Sequence, residues 1–276
     1  MVPLTARQRW LKALWYGRHG AGKTDLAGTA VDVPQMQDVL FVSAESGEMT
    51  LENSDRIKRP HEIMTVQASD FKQVGYIHQY LTAHCKYRDA GDLAGLRKIQ
   101  AQVTGENPDD IEHPKRFRTV IIDSLSEVES YSMYSLLGIN LEQIVTEDIE
   151  VADWPVFRKN FEMVKLLCRG FRNLPMHVIF VCAQTYTQDE TKKFHYGPYL
   201  TGKLSTAVQG QVDIVGWLTV GAATQEKVDP RRLYVQPISE PGAPRFDAKV
   251  RNAKVQHPYF DDPTMTDIMT GLGLLE

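Results

Sequence analysis

Eight residues near the amino terminus have the types and spacing of a phosphate-binding loop, G-x-x-x-x-G-K-[ST]: Gly17, Arg18, His19, Gly20, Ala21, Gly22, Lys23 and Thr24. The glycines let such a loop fold so that its backbone N–H groups point at phosphate oxygens. Lys23 would reach the β- and γ-phosphates, the Thr24 hydroxyl would ligate Mg²⁺, and the positive end of the next helix would add to the attraction. The sequence therefore predicts a site for ATP and Mg²⁺ formed by these eight residues.

The segments on either side of the loop have the order that this motif requires. Residues 11–16 are apolar and predict a buried strand, and residues 24–30 predict the start of a helix. A strand, a glycine-rich loop and a helix therefore follow one another. The alternative is a glycine-rich turn that carries an incidental lysine.

A carboxylate that could act on the metal ion ends another apolar strand. Residues 117–123 form the clearest strand pattern of the chain, and Asp123 is the last of them. The carboxyl ends of the strands in an open α/β sheet form its ligand-binding edge, so Asp123 can meet the Mg²⁺ held by Thr24. Thr24 and Asp123 are therefore the predicted metal ligands. A helix-capping role for Asp123 is the alternative.

Hydrolysis also needs a group that orients or deprotonates the attacking water. Residues 38–45 predict a further apolar strand, which ends at Glu45. Glu45 is our candidate for the catalytic carboxylate, with Lys23 as the catalytic cation. Glu48 is the alternative acid, although it lies further into the loop and could instead contact a ribose, and both acids could simply be solvated.

The rest of the sequence alternates helix patterns with strand patterns. Helices are predicted over 71–102, with an interruption near 89–92, over 156–172 and after Pro258; strands near 66–67 and over 176–183, 212–220 and 232–236; and polar loops over 103–116 and 185–203. This alternation predicts an α/β fold with a mostly parallel central sheet and helices on both faces. We expect one domain over residues 1–276, with a core over about 11–254 and a short tail over 255–276.

Composition limits the possible functions. The 276-residue chain has a formal net charge of −4, which excludes a globally basic nucleic-acid binder and leaves room only for a local basic patch. Its three cysteines form no C-x-x-C pair, so neither a zinc site nor a disulfide framework is predicted, and a reducing cytoplasm is expected. No run of about eighteen apolar residues occurs, so we expect no membrane association.

Four segments together resemble the ordered core of the RecA-type recombinase ATPases. They are the phosphate loop, Phe41 to Glu45, Val120 to Ser124, and Val178 to Gln184. Within that superfamily the chain is most similar to the compact phage-encoded RecA-core ATPases, which include the Sak-type single-strand annealing proteins. The similarity spans about residues 11–254.

This resemblance implies a RecA-like P-loop NTPase fold and roles for three residues. Glu45 matches the catalytic glutamate of the family, and Asp123 matches its metal-associated aspartate. Gln184 matches the glutamine that senses the γ-phosphate and relays its presence to a DNA-binding loop. Gln184 is therefore a further candidate for the catalytic machinery.

The DNA-binding loop implied by the resemblance would be residues 185–203. This segment combines cations that could contact phosphates with rings that could stack on bases, as single-strand binding requires. The candidates are Lys192, Lys193, Tyr196 and Lys203, together with Tyr186, His195 and Tyr199. A solvated lid over the nucleotide is the alternative interpretation.

Residues 246–254 resemble the basic strand that, in RecA-like filaments, reaches the ATP of the adjacent subunit. Lys249 and Arg251 alternate along such a strand, so both could project toward the same γ-phosphate. The resemblance thus implies a homo-oligomer, as a ring or a filament, with ATP at the subunit interfaces. An ordinary exposed basic strand is the alternative, and the acidic segment 127–153 has no counterpart that we can assign.

These features predict an ATP-driven protein that binds single-stranded DNA in phage-type recombination or replication, with annealing as its output and DNA-stimulated hydrolysis of ATP. It would act in the cytoplasm, and its host could be an infected bacterium. Two alternatives stay open. One is a nucleotide-dependent loader or switch that acts on a replication or packaging protein, and the other is a small-molecule phosphotransferase.

Overall fold

The computed structural model of the chain describes residues 10–139, 152–188, 190, 192–221, 230–238, 244–251, 255 and 257–275. The strands of this part are β1 (Lys12–Gly17), β2 (Val39–Ser43), β3 (Met64–Gln67), β4 (Thr119–Asp123), β5 (His177–Gln188), β6 (Phe194–Pro198), β7 (Ile214–Thr219), β8 (Arg232–Tyr234), β9 (Arg245–Phe246), β10 (Lys249–Val250) and β11 (Tyr259–Asp261). Its helices are α1 (Lys23–Gly28), α2 (Glu48–Glu52), α3 (Phe71–Ala90), α4 (Leu93–Thr104), α5 (Leu125–Leu137), α6 (Trp154–Asn173), α7 (Leu204–Gln209) and α8 (Met265–Gly271).

The central sheet is mostly parallel. Six strands follow one another in the order β3-β2-β4-β5-β1-β7, and every neighbouring pair in this series is parallel. β8 and β11 extend the sheet beyond β7 in antiparallel orientation. Because the six strands run the same way, their carboxyl ends share one edge, where Gly17 lies opposite Ala183 and Asp123 opposite Val181. This edge is where an α/β sheet binds its ligand.

The two faces of the sheet bury separate cores, because successive side chains of a strand point to opposite faces. Tyr16 belongs to the core that contains Phe171 of α6. Trp15, the preceding residue, belongs to the core that contains Leu26 of α1 and Met265 of α8. Helices therefore cover both faces, and the predicted α/β architecture is confirmed.

Most predicted elements are confirmed within a few residues of their bounds. The helical pattern over 71–102 is two helices. Gly91, with a φ of 69°, caps the carboxyl end of α3, and Asp92 caps α4 by accepting a hydrogen bond from the backbone N–H of Gly95. In the described part of the chain, no helix has both the length and the apolar character needed to cross a membrane.

Two local predictions are wrong. The segment 185–203 is not simply a polar loop, because β5 continues to Gln188 and pairs with β6 as an antiparallel hairpin. Residues 246–254 are not one strand, since β9 and β10 are separate short strands that pair with β6 and β7 respectively. Residues 252–254 of that segment, and residues 140–151 of the acidic segment, lie outside the described residues.

Candidate nucleotide-binding site

The phosphate loop turns at the carboxyl end of β1 through glycines whose backbone angles or close neighbours disfavour a side chain. Gly20 has a φ of 76° and Gly22 a φ of 86°, in the left-handed region that favours glycine. A Cβ at Gly17 would collide with the carbonyl oxygen of Leu218 on the neighbouring strand. Arg18, His19 and Gly20 are exposed at the rim, and Ala21 is buried. A loop of this shape fits the phosphates of a nucleotide.

Lys23, the first residue of α1, folds back onto the loop. Its Nζ atom donates to the carbonyl oxygens of Gly17 at 3.1 Å and Arg18 at 3.0 Å. Burial lowers the pKa of Lys23, and the nearby carboxylates of Asp123 and Glu45 oppose that shift. The ammonium group thus lies between the loop backbone and the acidic residues of the site, where it can meet a bound phosphate.

Thr24 and Asp123 meet at the sheet edge. The Thr24 hydroxyl donates to Asp123 Oδ2 at 2.5 Å. A hydroxyl and one carboxylate fit Mg²⁺, which keeps several waters and takes further oxygens from substrate phosphates. The described residues contain no cluster of three or more His, Cys, Asp or Glu side chains that could hold a metal by themselves. The pair therefore suits a metal ion that arrives with a nucleotide.

The burial of Asp123 gives a testable cost in stability. Burial raises the pKa of Asp123 to about 6, although the hydrogen bond from Thr24 opposes the shift. When a carboxyl has a higher pKa in the folded than in the unfolded protein, the folded protein loses stability as the pH rises from about 4 through 6. We therefore expect Asp123→Asn to raise the free energy of unfolding of the nucleotide-free protein by about 1–3 kcal/mol at pH 8.

Urea denaturation at pH 8 and pH 4 measures this effect. The gain from Asp123→Asn should shrink toward zero at pH 4, where the carboxyl is protonated in the folded protein. At pH 8 the same variant should also lose the extra stability that Mg-ATP confers over ATP with EDTA. An equal difference between wild type and variant at both pH values would exclude burial of the charge as its cause.

Glu45 lies beside the strand end that carries Asp123. Glu45 follows β2, which pairs with β4 so that Ser43 is opposite Asp123. The Ser124 hydroxyl donates to Glu45 Oε1, and the Glu45 side chain is otherwise exposed at the site. Glu48 begins α2, where the neighbouring Ser43 hydroxyl holds the pKa of its carboxyl below the ordinary value. The structure thus holds both acids near Asp123 but gives them different partners.

Gln184 lies near the start of the phosphate loop in the sheet, one residue beyond the level of Gly17. β5 runs between β1 and β4, and its Ala183 is the register partner of Gly17. The Gln184 side chain has a partner within the protein, because its Oε1 atom accepts a hydrogen bond from Trp217 Nε1 at 2.7 Å. Gln184 is therefore held at the edge where a bound triphosphate would lie.

Comparison with known proteins agrees with this geometry. The family model AAA_24, described as an AAA domain, matches residues 9–251 of the chain. The chain belongs to this family. It is an ATPase domain of the P-loop type, and nucleotide binding and hydrolysis are its general chemistry. No match is found among the curated proteins.

The hairpin of the AAA domain, β5 and β6, presents part of the predicted DNA-binding set. Tyr186 and Phe194 pack edge to face at 5.3 Å and remain 62% and 44% exposed, so they offer a wide apolar surface. Tyr196 lies at the inner end of this group, stacked on Trp217. Lys192 and Lys193 are exposed where the hairpin turns. These cations and rings are therefore brought together on one hairpin.

The remaining predicted DNA contacts are separated from those rings. Lys203 precedes α7 and lines a cavity of about 590 Å³ together with Trp154 and Phe157 of α6. His195 Nε2 lies 2.8 Å from Asp247 Oδ1, which ties the hairpin to the segment between β9 and β10. Tyr199 is exposed just after β6. Thus only some of the DNA contacts predicted over 185–203 lie on the exposed surface of the hairpin.

Lys249 and Arg251 lie far from the phosphate loop of their own AAA domain. Lys249 is opposite Val215 of β7, and Val215 is opposite Leu14, three residues before Gly17. Three strand residues span about 10 Å toward the opposite end of the sheet. Lys249 Nζ donates to the carbonyl oxygen of Gln209, and Arg251 Nη2 donates to that of Gly210 at 2.6 Å. Both cations therefore face the end of α7.

Arg231 is a site residue that the sequence patterns did not reveal. A Cβ at Gly22 would collide with Arg231 Nη1, so the guanidinium group lies against Gly22 of the phosphate loop. The same Nη1 atom donates to Asp25 Oδ2 at 2.9 Å, and Arg56 Nη1 donates to this oxygen at the same distance. Arg231 and Arg56 are far from the loop in sequence, and no spacing rule connects either of them to it. Only the fold brings them there.

This position predicts a contribution of Arg231 to nucleotide affinity. We expect Arg231→Ala to weaken ATP binding about tenfold, because a cation next to the loop can donate a charge-assisted hydrogen bond to the nucleotide. Arg232→Ala is a matched control, since Arg232 pairs instead with Asp261 at 2.6 Å and covers the ring of Tyr259. Isothermal titration with ATP measures both. Equal losses in the two variants would indicate a general effect of charge.

Proposed function

We propose that this AAA domain has a RecA-like core and is an Mg-dependent ATPase that binds single-stranded DNA in phage-type recombination or replication, with strand annealing as its output. The observation that carries the proposal is the path of β5. This strand passes beside Gly17 at the phosphate loop and ends in the hairpin whose rings, Tyr186 and Phe194, are exposed. A nucleotide site and a surface suited to base stacking are thus parts of one continuous element.

Each side chain of the site can have a separate role in ATP hydrolysis. The loop backbone and Lys23 would hold the phosphates, and Thr24 and Asp123 would hold Mg²⁺, which supplies charge neutralisation at the phosphates when bound. Glu45, held by Ser124, would orient the attacking water and accept its proton. Gln184 would contact the γ-phosphate side of the site.

The position of Lys249 and Arg251 supports the proposal of an oligomer. The backbone of Lys249 lies about 10 Å from the level of the phosphate loop along the strand direction, and Arg251 lies further away, so both are better placed to serve a neighbouring copy. Cations supplied by a second subunit stabilise charge at the transferring phosphoryl group and make hydrolysis depend on assembly. We propose a homo-oligomer, ring or filament, with ATP at its interfaces.

Binding of single strands tests the proposal directly. We expect a fluorescent oligo-dT to bind the wild type with Mg-ATPγS, and the double variant Tyr186→Ser/Phe194→Ser to bind at least about tenfold more weakly, because stacking is worth about 1–3 kcal/mol per base. Tyr76→Ser is the control, since Tyr76 on α3 is also exposed, at 64%. Steady-state hydrolysis with and without oligo-dT gives a second readout. Absence of binding and of stimulation in the wild type would reject DNA as the partner.

A loader or switch that acts on a replication or packaging protein is the second candidate. It is favoured by the outer surface of α6, where Trp154 is 81% and Leu166 66% exposed. Exposed large apolar side chains of this kind are typical of protein contacts. Turnover that depends on Lys23 but does not respond to single-stranded DNA would favour this candidate.

A further inference from the structure

Trp217 connects the nucleotide site to the hairpin through two different contacts. Its indole nitrogen donates to Gln184 Oε1 at 2.7 Å. Its ring stacks on Tyr196 of the hairpin, with centroids 5.1 Å apart and planes only 13° from parallel. Trp217 is itself well buried, at 7% exposure, on β7 next to Tyr16 of β1. One rigid side chain therefore touches both the residue beside the phosphate loop and the inner residue of the exposed ring group.

The hydrogen bond also fixes which end of the Gln184 amide faces Trp217. An indole N–H can only donate, so Gln184 must turn its carbonyl oxygen to Trp217 and its NH₂ group away from it. In the described part of the chain, no hydrogen bond engages that NH₂ group. The two N–H donors of the amide are thereby left available for an anionic phosphate. If the amide were reversed, only its carbonyl oxygen would be left, and that oxygen would repel a phosphate.

The contacts continue from Trp217 to the surface of the hairpin. Tyr196 lies 6.4 Å from both Phe194 and Tyr186, and its carbonyl oxygen accepts a hydrogen bond from the Tyr16 hydroxyl. Gln184 and Tyr186 share one face of β5, because they are two residues apart, and Tyr186 is the register partner of Tyr196. The amide, the indole and the three rings therefore form one connected series of side chains.

We propose that Trp217 is a positioning residue that sets the Gln184 amide for the γ-phosphate and passes its state to the hairpin rings. The inference rests on the proposed function for the identity of the nucleic-acid ligand, but the coupling itself concerns only this chain and its nucleotide. A nucleotide that pulls on Gln184 shifts the indole, and the stacked Tyr196 ring must follow. The exposed ring group would then differ between the ATP-bound and ADP-bound protein.

Trp217→Phe tests the coupling, because it removes the N–H donor and keeps a ring to stack on Tyr196. Hydrogen exchange is measured over Thr185–Gln188 and Phe194–Pro198 with saturating Mg-ATPγS and with Mg-ADP. We expect the wild type to exchange these amides at least about fivefold differently in the two nucleotides. Trp217→Phe should reduce that ratio to within about twofold. Trp154→Phe, the same substitution at the exposed start of α6, should retain it.

A second variant guards against a purely structural effect of changing a buried ring. Gln184→Met removes the acceptor while Trp217 stays in place, and it should cause the same loss. The double variant should then lose nothing further, because both residues act in one series. Additive losses, a nucleotide effect that persists in Trp217→Phe, or no nucleotide effect on the wild-type hairpin would each overturn the proposal.

Oligo-dT affinity in the same two nucleotides separates this proposal from the proposed function. Loss of the hairpin response in Trp217→Phe, in a protein that does not bind oligo-dT, would support the coupling and reject the DNA ligand. A wild type that binds oligo-dT more tightly with ATPγS, and a Trp217→Phe variant with the same preference, would support the DNA ligand and reject Trp217 as the link.

Discussion

Lys23→Ala is expected to reduce ATP turnover by at least about a hundredfold, since removing one preorganised donor to a charged transition state costs about 10²–10³ in rate. The Lys23 ammonium group is bound only by the carbonyl oxygens of Gly17 and Arg18 in the described protein. It can therefore exchange these contacts for phosphate oxygens without breaking a buried ion pair. Steady-state release of inorganic phosphate with saturating Mg-ATP measures the effect.

Lys86→Ala is the control for this loss, because Lys86 is an exposed lysine on α3. It should retain wild-type turnover. Thermal unfolding of the apo proteins checks that Lys23→Ala is folded, and ATP titration checks whether binding is lost with turnover. Retention of half of the wild-type rate by Lys23→Ala would reject the loop as the site of hydrolysis.

The architecture was predictable because it rests on strong local signals. Uninterrupted apolar runs in β1, β2 and β4 identify strands that are buried on both faces. The motif from Gly17 to Thr24 then fixes the end of β1 at which the ligand site must lie. Strand ends also carry Glu45 and Asp123, and parallel strands place their ends at one edge. The α/β fold could therefore be predicted from these few segments.

The hairpin was not predictable from polarity alone. Residues 185–198 contain lysines, threonines and a glycine, which favour a loop in a composition-based interpretation. Yet Tyr186 and Tyr196 are directly opposite across β5 and β6, and such cross-strand aromatic pairs stabilise a sheet that has no buried core on its outer side. The alternating pattern of a strand is present, but the polar residues on the exposed side of each strand make it resemble a loop.

Other members of the site depend on contacts between distant segments. Arg231 reaches Gly22 only because β8 returns beside β7, and Trp217 reaches Gln184 only because β7 and β5 lie on either side of β1. A sequence pattern reports neighbours along one element, so neither contact leaves a local signal. The separation of Lys249 from its own phosphate loop likewise depends on the register of β10 with β7 and of β7 with β1.

Glu45→Gln is expected to lower kcat by about 10²–10⁴ and to leave the affinity for ATP within about twofold of the wild type. The amide retains the shape of the carboxylate and can still accept the hydrogen bond from Ser124. It cannot accept a proton from the attacking water. The Glu45 carboxylate is also one of the charges that raise the pKa of Asp123. Its removal therefore favours ionised Asp123 and gives no reason for weaker binding of Mg-ATP.

Glu48→Gln distinguishes a specific base from a general loss of negative charge. Glu48 lies three residues further along the same loop, but its carboxylate is beside Ser43 rather than Ser124. Single-turnover hydrolysis with enzyme in excess, together with ATP titration of both variants, separates chemistry from binding. Glu48→Gln should stay within about threefold of the wild-type rate, because the Glu48 carboxylate is held by Ser43, away from the Ser124 hydroxyl that positions Glu45. If Glu48→Gln instead abolished hydrolysis and Glu45→Gln did not, the water-activating carboxylate would be Glu48, and Ser124 would hold a residue with no part in the proton transfer.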